Sequence, residues 1–322
     1  MQDSLNNKFG CCGFVNGKYT PCDYHLSKVN NSVFKLSDSS SNISFGESNQ
    51  ITHTPTPNMI KMSELFNNPG REPAGGWYLV QEQREWLESR LRKIFVSEIN
   101  KEIYLLVAGV ASYVHFYTFI KIVLDISKEV DFPLKKLYVD VIDKCIFPLD
   151  QIASIERVIR IKKKRIPKSI KIHGMKVGIH IDKRILIDSI CSDLRLINVR
   201  LMQRDLKYVD DFDKRGSYSI VCEHFLTSLF RKLPELVNAT RTTYKELLKE
   251  GGNLIIATGI KDTDYDSKLK SLHIRNGFKL IDEKKVWDPY GMDYEYIKSI
   301  ASDRESKISV AQDNRLMHYI KR

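Results

Sequence analysis

The chain has 322 residues, and 42% of them are hydrophobic, enough to fill a real core, which excludes a peptide or a disordered tail. Its formal net charge is +11, but nine of the positive charges fall between Arg157 and Lys176, where there is no Asp or Glu. The basicity therefore describes one segment and excludes a generally basic, nucleic-acid-coating surface. Six cysteines are too few for a disulfide scaffold, and the start MQDSLNNKFG lacks the basic-then-apolar run of a secretory signal, so a reducing, cytoplasmic setting is expected.

From Met1 to about Asn58 a cysteine-bearing start is followed by a stretch rich in Ser, Asn and Thr that has little to bury. Residues 1–75 are read as a partly irregular N-terminal extension and a candidate lid over a pocket, with Trp77 and Tyr78 near its entrance. Cys11, Cys12, Cys22 and His25 are zinc-type ligands, but adjacent cysteines are poor geometry for one half of a site, so no metal is expected. The folded domain is expected over 76–322. It opens with a helix that places Trp86, Leu87, Leu91, Ile94 and Phe95 on one face.

The uncharged run Ile103 to Ile120 has the length of a membrane span. Ser112, His115 and Thr118 interrupt it, and Lys121 and Asp125 follow at helical spacing. A strand Tyr104–Ala108, a tight turn at Gly109 and a buried helix starting near Ser112 account for the same letters, so no membrane contact is expected.

The pattern then alternates. A strand Lys136–Ile142, a helix Pro148–Arg160, the basic segment, a helix Asp182–Leu196 and a strand Asn198–Gln203 follow in turn. After a strand Ser217–Glu223 comes an amphipathic helix Leu236–Lys249. The breaker pair Gly251–Gly252 then precedes a strand Asn253–Gly259. A short helix Ser267–Arg275 and strands Phe278–Val286 and Leu316–Ile320 complete the order. The fold class read from this is α/β: a doubly wound, mostly parallel seven-stranded sheet with an antiparallel edge, plus the N-terminal extension.

Ligands on such sheets bind just past the carboxyl ends of the strands, which directs attention to the residues there. Gly109 offers a sharp backbone turn. Asp143 ends the second strand, where a carboxylate can accept the hydroxyl protons of a ribose. Asp205 and Leu206 follow the third strand, an acid for an adenine amine and an apolar side chain for its face. Cys222, Glu223 and His224 end the fourth, whereas His115 reads as a helix residue near the pocket or the core.

From Trp86 to Arg322 the chain resembles the class I S-adenosylmethionine-dependent methyltransferases. VIDKCIFPL is similar to the end of that family's second strand. SYSIVCEHFLTSL followed by LLKEGGNLIIATG is similar to its fourth and fifth strands. The resemblance implies a seven-stranded, doubly wound sheet and S-adenosylmethionine as cofactor. It implies that Gly109 and Ala111 lie against the methionine end, Asp143 on the ribose and Asp205 with Leu206 by the adenine. Tyr113 and Cys222 complete the cofactor-facing set. The glycine-rich turn VAGVASY departs from the family, with Val107, Ala111 and Tyr113 where an acid and two glycines would stand. Loss of binding, a reoriented cofactor and a pocket remodelled around Tyr113 are all compatible with this departure, and the last is expected because the remaining elements are kept.

Methyl transfer is an in-line displacement from a sulfonium, so alignment dominates, with a base where the nucleophile carries a proton. His224, with Glu223 beside it, stands where the resemblance places substrate-facing groups and is the candidate base. The expected activity is methylation of a small molecule or metabolite. RNA methylation through the basic insertion at about 157–181, with contacts from Arg157 to Lys176, is the alternative, and a noncatalytic binding protein is another. The basic run is read first as a solvated helix end and loop, because it lacks the Phe, Tyr or Trp of a stacking platform.

Overall fold

The computed structural model describes residues 12–15, 18–21, 33–36, 44–45, 81–110, 113–143, 146–162, 165–172, 175–179, 181–203, 206, 212, 214–224, 234–259, 263–287 and 313–322. Four short strands come first: β1 (Cys12–Val15), β2 (Lys18–Pro21), β3 (Val33–Leu36) and β4 (Ser44–Phe45). The alternating domain begins with α1 (Gln81–Ser97), β5 (Ile103–Ala108), α2 (Tyr113–Glu129) and β6 (Leu137–Asp143). It continues with α3 (Ile146–Arg157), a π turn over Val158–Lys162, the strands β7 (Ser169–Ile172) and β8 (Met175–Gly178), and α4 (Ile181–Leu194). Then come β9 (Asn198–Gln203), β10 (Tyr218–His224), α5 (Pro234–Leu247), β11 (Leu248–Gly259), α6 (Thr263–Arg275), β12 (Phe278–Trp287) and β13 (Asp313–Lys321).

The main sheet has the order β12-β13-β11-β10-β5-β6-β9-β3-β4. Neighbours from β11 to β9 are parallel, whereas β13 is inserted antiparallel between β11 and β12. The seven strands expected from the sequence form this core, and β3 extends it by pairing antiparallel with β9. Among the described residues β1 and β2 pair with each other in a separate two-stranded sheet.

The central strand β5 reads IYLLVA, a nearly continuous apolar run, because a parallel strand in the middle of a sheet is covered on both faces. Helices α1 to α4 supply one apolar layer, in which Trp86, Leu87, Leu91, Ile94 and Phe95 are all buried as the helical period requires. Helices α5 and α6 supply the other, through Val237, Tyr244, Leu247 and Leu269. Trp86 Nε1 donates to Asp282 at 2.7 Å and Arg90 pairs with the same carboxylate at 3.1 Å, which ties α1 to β12.

Two expectations are corrected. Gly251 and Gly252 do not precede a strand but lie inside β11, which runs without interruption from Leu248. Gly251 has φ 71° and a Cβ on Gly252 would meet the Lys249 carbonyl oxygen at 2.8 Å, so the pair forms a bulge where the β10–β11 register shifts. The basic segment, expected as a helix end and loop, contains the antiparallel hairpin β7–β8. Ile170 of β7 is buried, as are Ile166 and Ile179 flanking the hairpin, so a charged stretch still supplies apolar residues to the core. Among the described residues no helix is long and apolar enough to cross a membrane, and Ile103 to Ile120 resolves into β5, the Gly109 turn and the start of α2.

Candidate functional site

The connection from β5 to α2 is fixed by three hydrogen bonds. Gly109, with φ 76°, bends the chain across the end of β6 and donates its N–H to the Ile142 carbonyl at 3.0 Å. The Val110 N–H donates to Asp143 Oδ2 at 3.1 Å. One turn into α2, His115 Nδ1 lies 3.2 Å from the Val110 carbonyl oxygen, which can only accept, so Nδ1 carries the proton. Burial lowers the His115 pKa to about 4, and the ring is neutral.

Beneath this loop is a small recess of about 10 Å³, room for about one water, lined among the described residues by Val107, Gly109, Val110, His115, Phe116, Phe119 and Cys222. Val107 and Cys222 are register partners at the carboxyl ends of β5 and β10. From β5 the chain moves outward to β6 and β9, and at β10 it returns to the other side of β5 and continues to β11. The recess therefore lies at the point where the winding of the sheet reverses. The fold is Rossmann-like.

This seven-stranded, Rossmann-like core is the sheet that the resemblance to the class I methyltransferases implies. No protein-family model matches the chain, and no curated protein matches it. Among solved structures it is similar to the [4+2]-cyclase SpnF, at 11% identity over 82% of this chain and 92% of that one, with a TM-score of 0.46. It is also similar to the N-methyltransferase NodS of Bradyrhizobium japonicum WM9 in complex with S-adenosylhomocysteine, at 9% identity over 82% and 98% of the two chains, TM-score 0.43. A third is the 1,6-didemethyltoxoflavin-N1-methyltransferase of Burkholderia thailandensis, at 10% identity over 74% and 82%, TM-score 0.38.

Of the residues singled out in the sequence, Gly109 and Cys222 line the recess, and Asp143, half-buried at the end of β6, holds the loop above it. Burial pushes the Cys222 thiol well above its ordinary pKa, so it contributes shape rather than a thiolate. Tyr113, expected against the cofactor, is the first residue of α2 and is wholly buried in the core layer of α1 to α4. Among the described residues its hydroxyl finds no hydrogen-bond partner, and burial raises its pKa strongly. Leu206 packs against the opposite layer. Ala111, Asp205 and the His224 side chain lie outside the described residues, as do Cys11, Cys22, His25, Trp77 and Tyr78.

Glu223 faces away from the recess. Successive strand residues alternate faces, so Cys222 points toward α2 and Glu223 toward α5. There its carboxylate, fully buried, accepts two hydrogen bonds from the guanidinium of Arg241, the second at 3.2 Å. A second polar cluster crosses the same layer. Arg200 donates to both oxygens of Asp140 at 3.1 and 2.5 Å, and the Tyr218 hydroxyl donates to the same carboxylate at 2.5 Å. It joins the middles of β6 and β9 to the first residue of β10, away from the carboxyl ends of the strands.

The basic segment is partly structural. Arg160 is nearly buried, with Nε donating to Glu156 at 2.8 Å and Nη2 to the carbonyls of Leu194 at 2.7 Å and Ile197 at 3.1 Å. Arg195 answers with a 3.1 Å bond to the Ile159 carbonyl, so these two arginines join the π turn to the end of α4. Among the described residues no three metal-ligating side chains gather.

The fit to S-adenosylmethionine divides along its length. A glycine turn at a strand end and an acid at the end of the neighbouring strand suit the nucleoside part. Among the described residues the lining carries no charge that would match the ammonium and carboxylate of the methionine part.

Proposed function

We propose that this chain is an S-adenosylmethionine-dependent methyltransferase of small molecules or metabolites, with its cofactor site at the switch point between β5 and β10. The observation that carries the reading is the turn there, where Gly109 bends the chain at the end of β5 and Asp143 holds the loop from the end of β6. In this reading Gly109 and Ala111 present backbone to the cofactor. Asp143 serves the ribose through whatever acceptor capacity the Val110 bond leaves, Asp205 and Leu206 serve the adenine, and Cys222 lines the wall. His224 is the base at the strand end. Glu223 is matched to Arg241 and has a structural part, and Tyr113 packs the core.

A small acceptor is favoured over RNA because Arg160, one of the cations in the basic run, is spent on holding α4. The test is a calorimetric titration with S-adenosylmethionine and S-adenosylhomocysteine. Saturable binding is expected in the wild type and at least a tenfold loss in Asp143→Ala. Asp143→Asn keeps an oxygen for the Val110 N–H and is expected to fall between the two. No binding of either ligand to the wild type would overturn the reading in favour of a noncatalytic protein on the same fold.

A further inference from the structure

The basic hairpin β7–β8 and the start of α4 form a surface that the methyltransferase reading leaves unused. We propose that this surface docks on an anionic lipid bilayer, with the cations of the hairpin at the headgroups and Ile181 and Ile185 in the acyl boundary. The contact is peripheral, needs no span and does not depend on the cofactor site. It departs from the expectation of no membrane contact, which rested on the run Ile103 to Ile120 alone.

Helix α4 is apolar on two faces. Ile187, Ile190 and Leu194 are buried in the core that α1 to α4 share. Ile181 and Ile185, one turn apart and so on one face, are 54% and 63% exposed, where a helix at a water surface ordinarily carries polar residues. A lone exposed isoleucine is commonplace, and what distinguishes this pair is its surroundings.

The hairpin lies beside that end of α4. The Ile179 N–H, two residues before the helix, donates to the Lys168 carbonyl at 2.8 Å, and Asp188 accepts the Ile166 N–H at 3.0 Å. Ile170 enters the same core as Ile187, so strand alternation turns Lys171 away from it, and Lys171, Lys168 and Arg165 are all exposed. Lys171 and Lys176 are register partners, and like charges set directly opposite one another are unfavourable until an anion lies over them. From Arg157 to Ile185 the sequence has eleven Lys and Arg against one acid, Asp182. Further along α4, Asp188 is engaged by the Ile166 amide and Asp193 pairs with Lys128 at 2.6 Å.

Two demands select the occupant. The charge calls for an anionic partner, and an aliphatic pair gains only where that partner offers an apolar interior. RNA meets the first demand alone, because Arg157 to Ile185 contains no Phe, Tyr or Trp on which bases could stack. A bilayer with anionic headgroups meets both.

The experiment is cosedimentation of the full chain with vesicles of phosphatidylcholine alone and of phosphatidylcholine with about one-third phosphatidylserine. Partition onto the phosphatidylserine vesicles is expected to be at least about tenfold stronger, and to weaken as salt is raised. Ile181→Ser combined with Ile185→Ser, its fold checked by circular dichroism, is expected to lose about tenfold, because two apolar insertions are removed. Where that variant does not fold, Ile185→Ser alone gives the same reading. Equal partition onto both vesicles would overturn the proposal, and so would full phosphatidylserine binding by the isoleucine variant. Single-stranded RNA that binds the wild type and the isoleucine variant alike and displaces the vesicles would overturn it in favour of nucleic acid. Each of these results leaves the cofactor site where it stands.

Discussion

Arg241→Met is expected to lower the unfolding free energy by about 3–5 kcal/mol, because it leaves the Glu223 carboxylate buried without its cation. Both partners are almost wholly inaccessible, and the guanidinium spans both carboxylate oxygens, so no water takes over when one partner is removed. Glu223→Leu in the Arg241→Met background is expected to restore most of the loss, since an apolar pair of similar volume has no unpaired charge to bury. Urea unfolding of the two single variants and the double variant measures this directly. A cost below about 1 kcal/mol for Arg241→Met would show that the pair is solvated and that Glu223 is open to other work.

Acidification is expected to destabilise the fold steeply below pH 6.5. Burial lowers the pKa values of His115 and His318 from 6.5 to about 4 and that of His273 well below 6.5. The unfolded chain takes up these protons as pH falls through 6.5, whereas in the folded chain His115 and His318 do not until about pH 4 and His273 not until well below 6.5, so stability is lost as the pH falls. Each histidine contributes a slope of about 1.4 kcal/mol per pH unit. Their surroundings act with burial: Arg90 and Lys93 oppose a charge on His318 while Asp282 favours it, and Arg241 opposes one on His273. His318 Nε2 is 2.9 Å from Asn253 Oδ1, an oxygen whose amide partner already donates to Ser219, so Nε2 is the donor. His318→Gln keeps a donor there without titrating. Unfolding free energies measured from pH 6.5 to 5 are expected to fall with a shallower slope in that variant, and identical slopes would contradict the account.

The alternation of strands and helices was legible because the central strands are largely apolar, β5 without a break, and each helix carries one apolar face, as in α1. The β7–β8 hairpin was hidden by its own charge, although SIKI and MKVG alternate at period two on either side of His173-Gly174. Gly251 and Gly252 are the residues of a break, and only the shifted register shows that they bend a strand instead of ending a turn.

At the site, Gly109 and Asp143 were legible because the chemistry of such sheets lies past the strand ends. The part Glu223 plays was not, since Arg241 is 18 residues away in the next helix and nothing local names it as a partner. Strict alternation along VCEH does place Cys222 and Glu223 on opposite faces, and that signal was present in the sequence. Which helix side chains meet the recess depends on the rotation of α2 about its axis. His115, Phe116 and Phe119 could not be assigned to the wall, nor Tyr113 to the core, before that rotation was known.

The central claim is that ligand binds at the switch point beneath the Gly109 turn. Backbone amide chemical shifts recorded while adenosine is added test it most directly, because they report place without requiring turnover. The account predicts saturable shifts confined to the end of β5, the Gly109 and Val110 amides and the end of β10 around Cys222. Adenosine binding that leaves those amides unmoved and perturbs another part of the chain would contradict it.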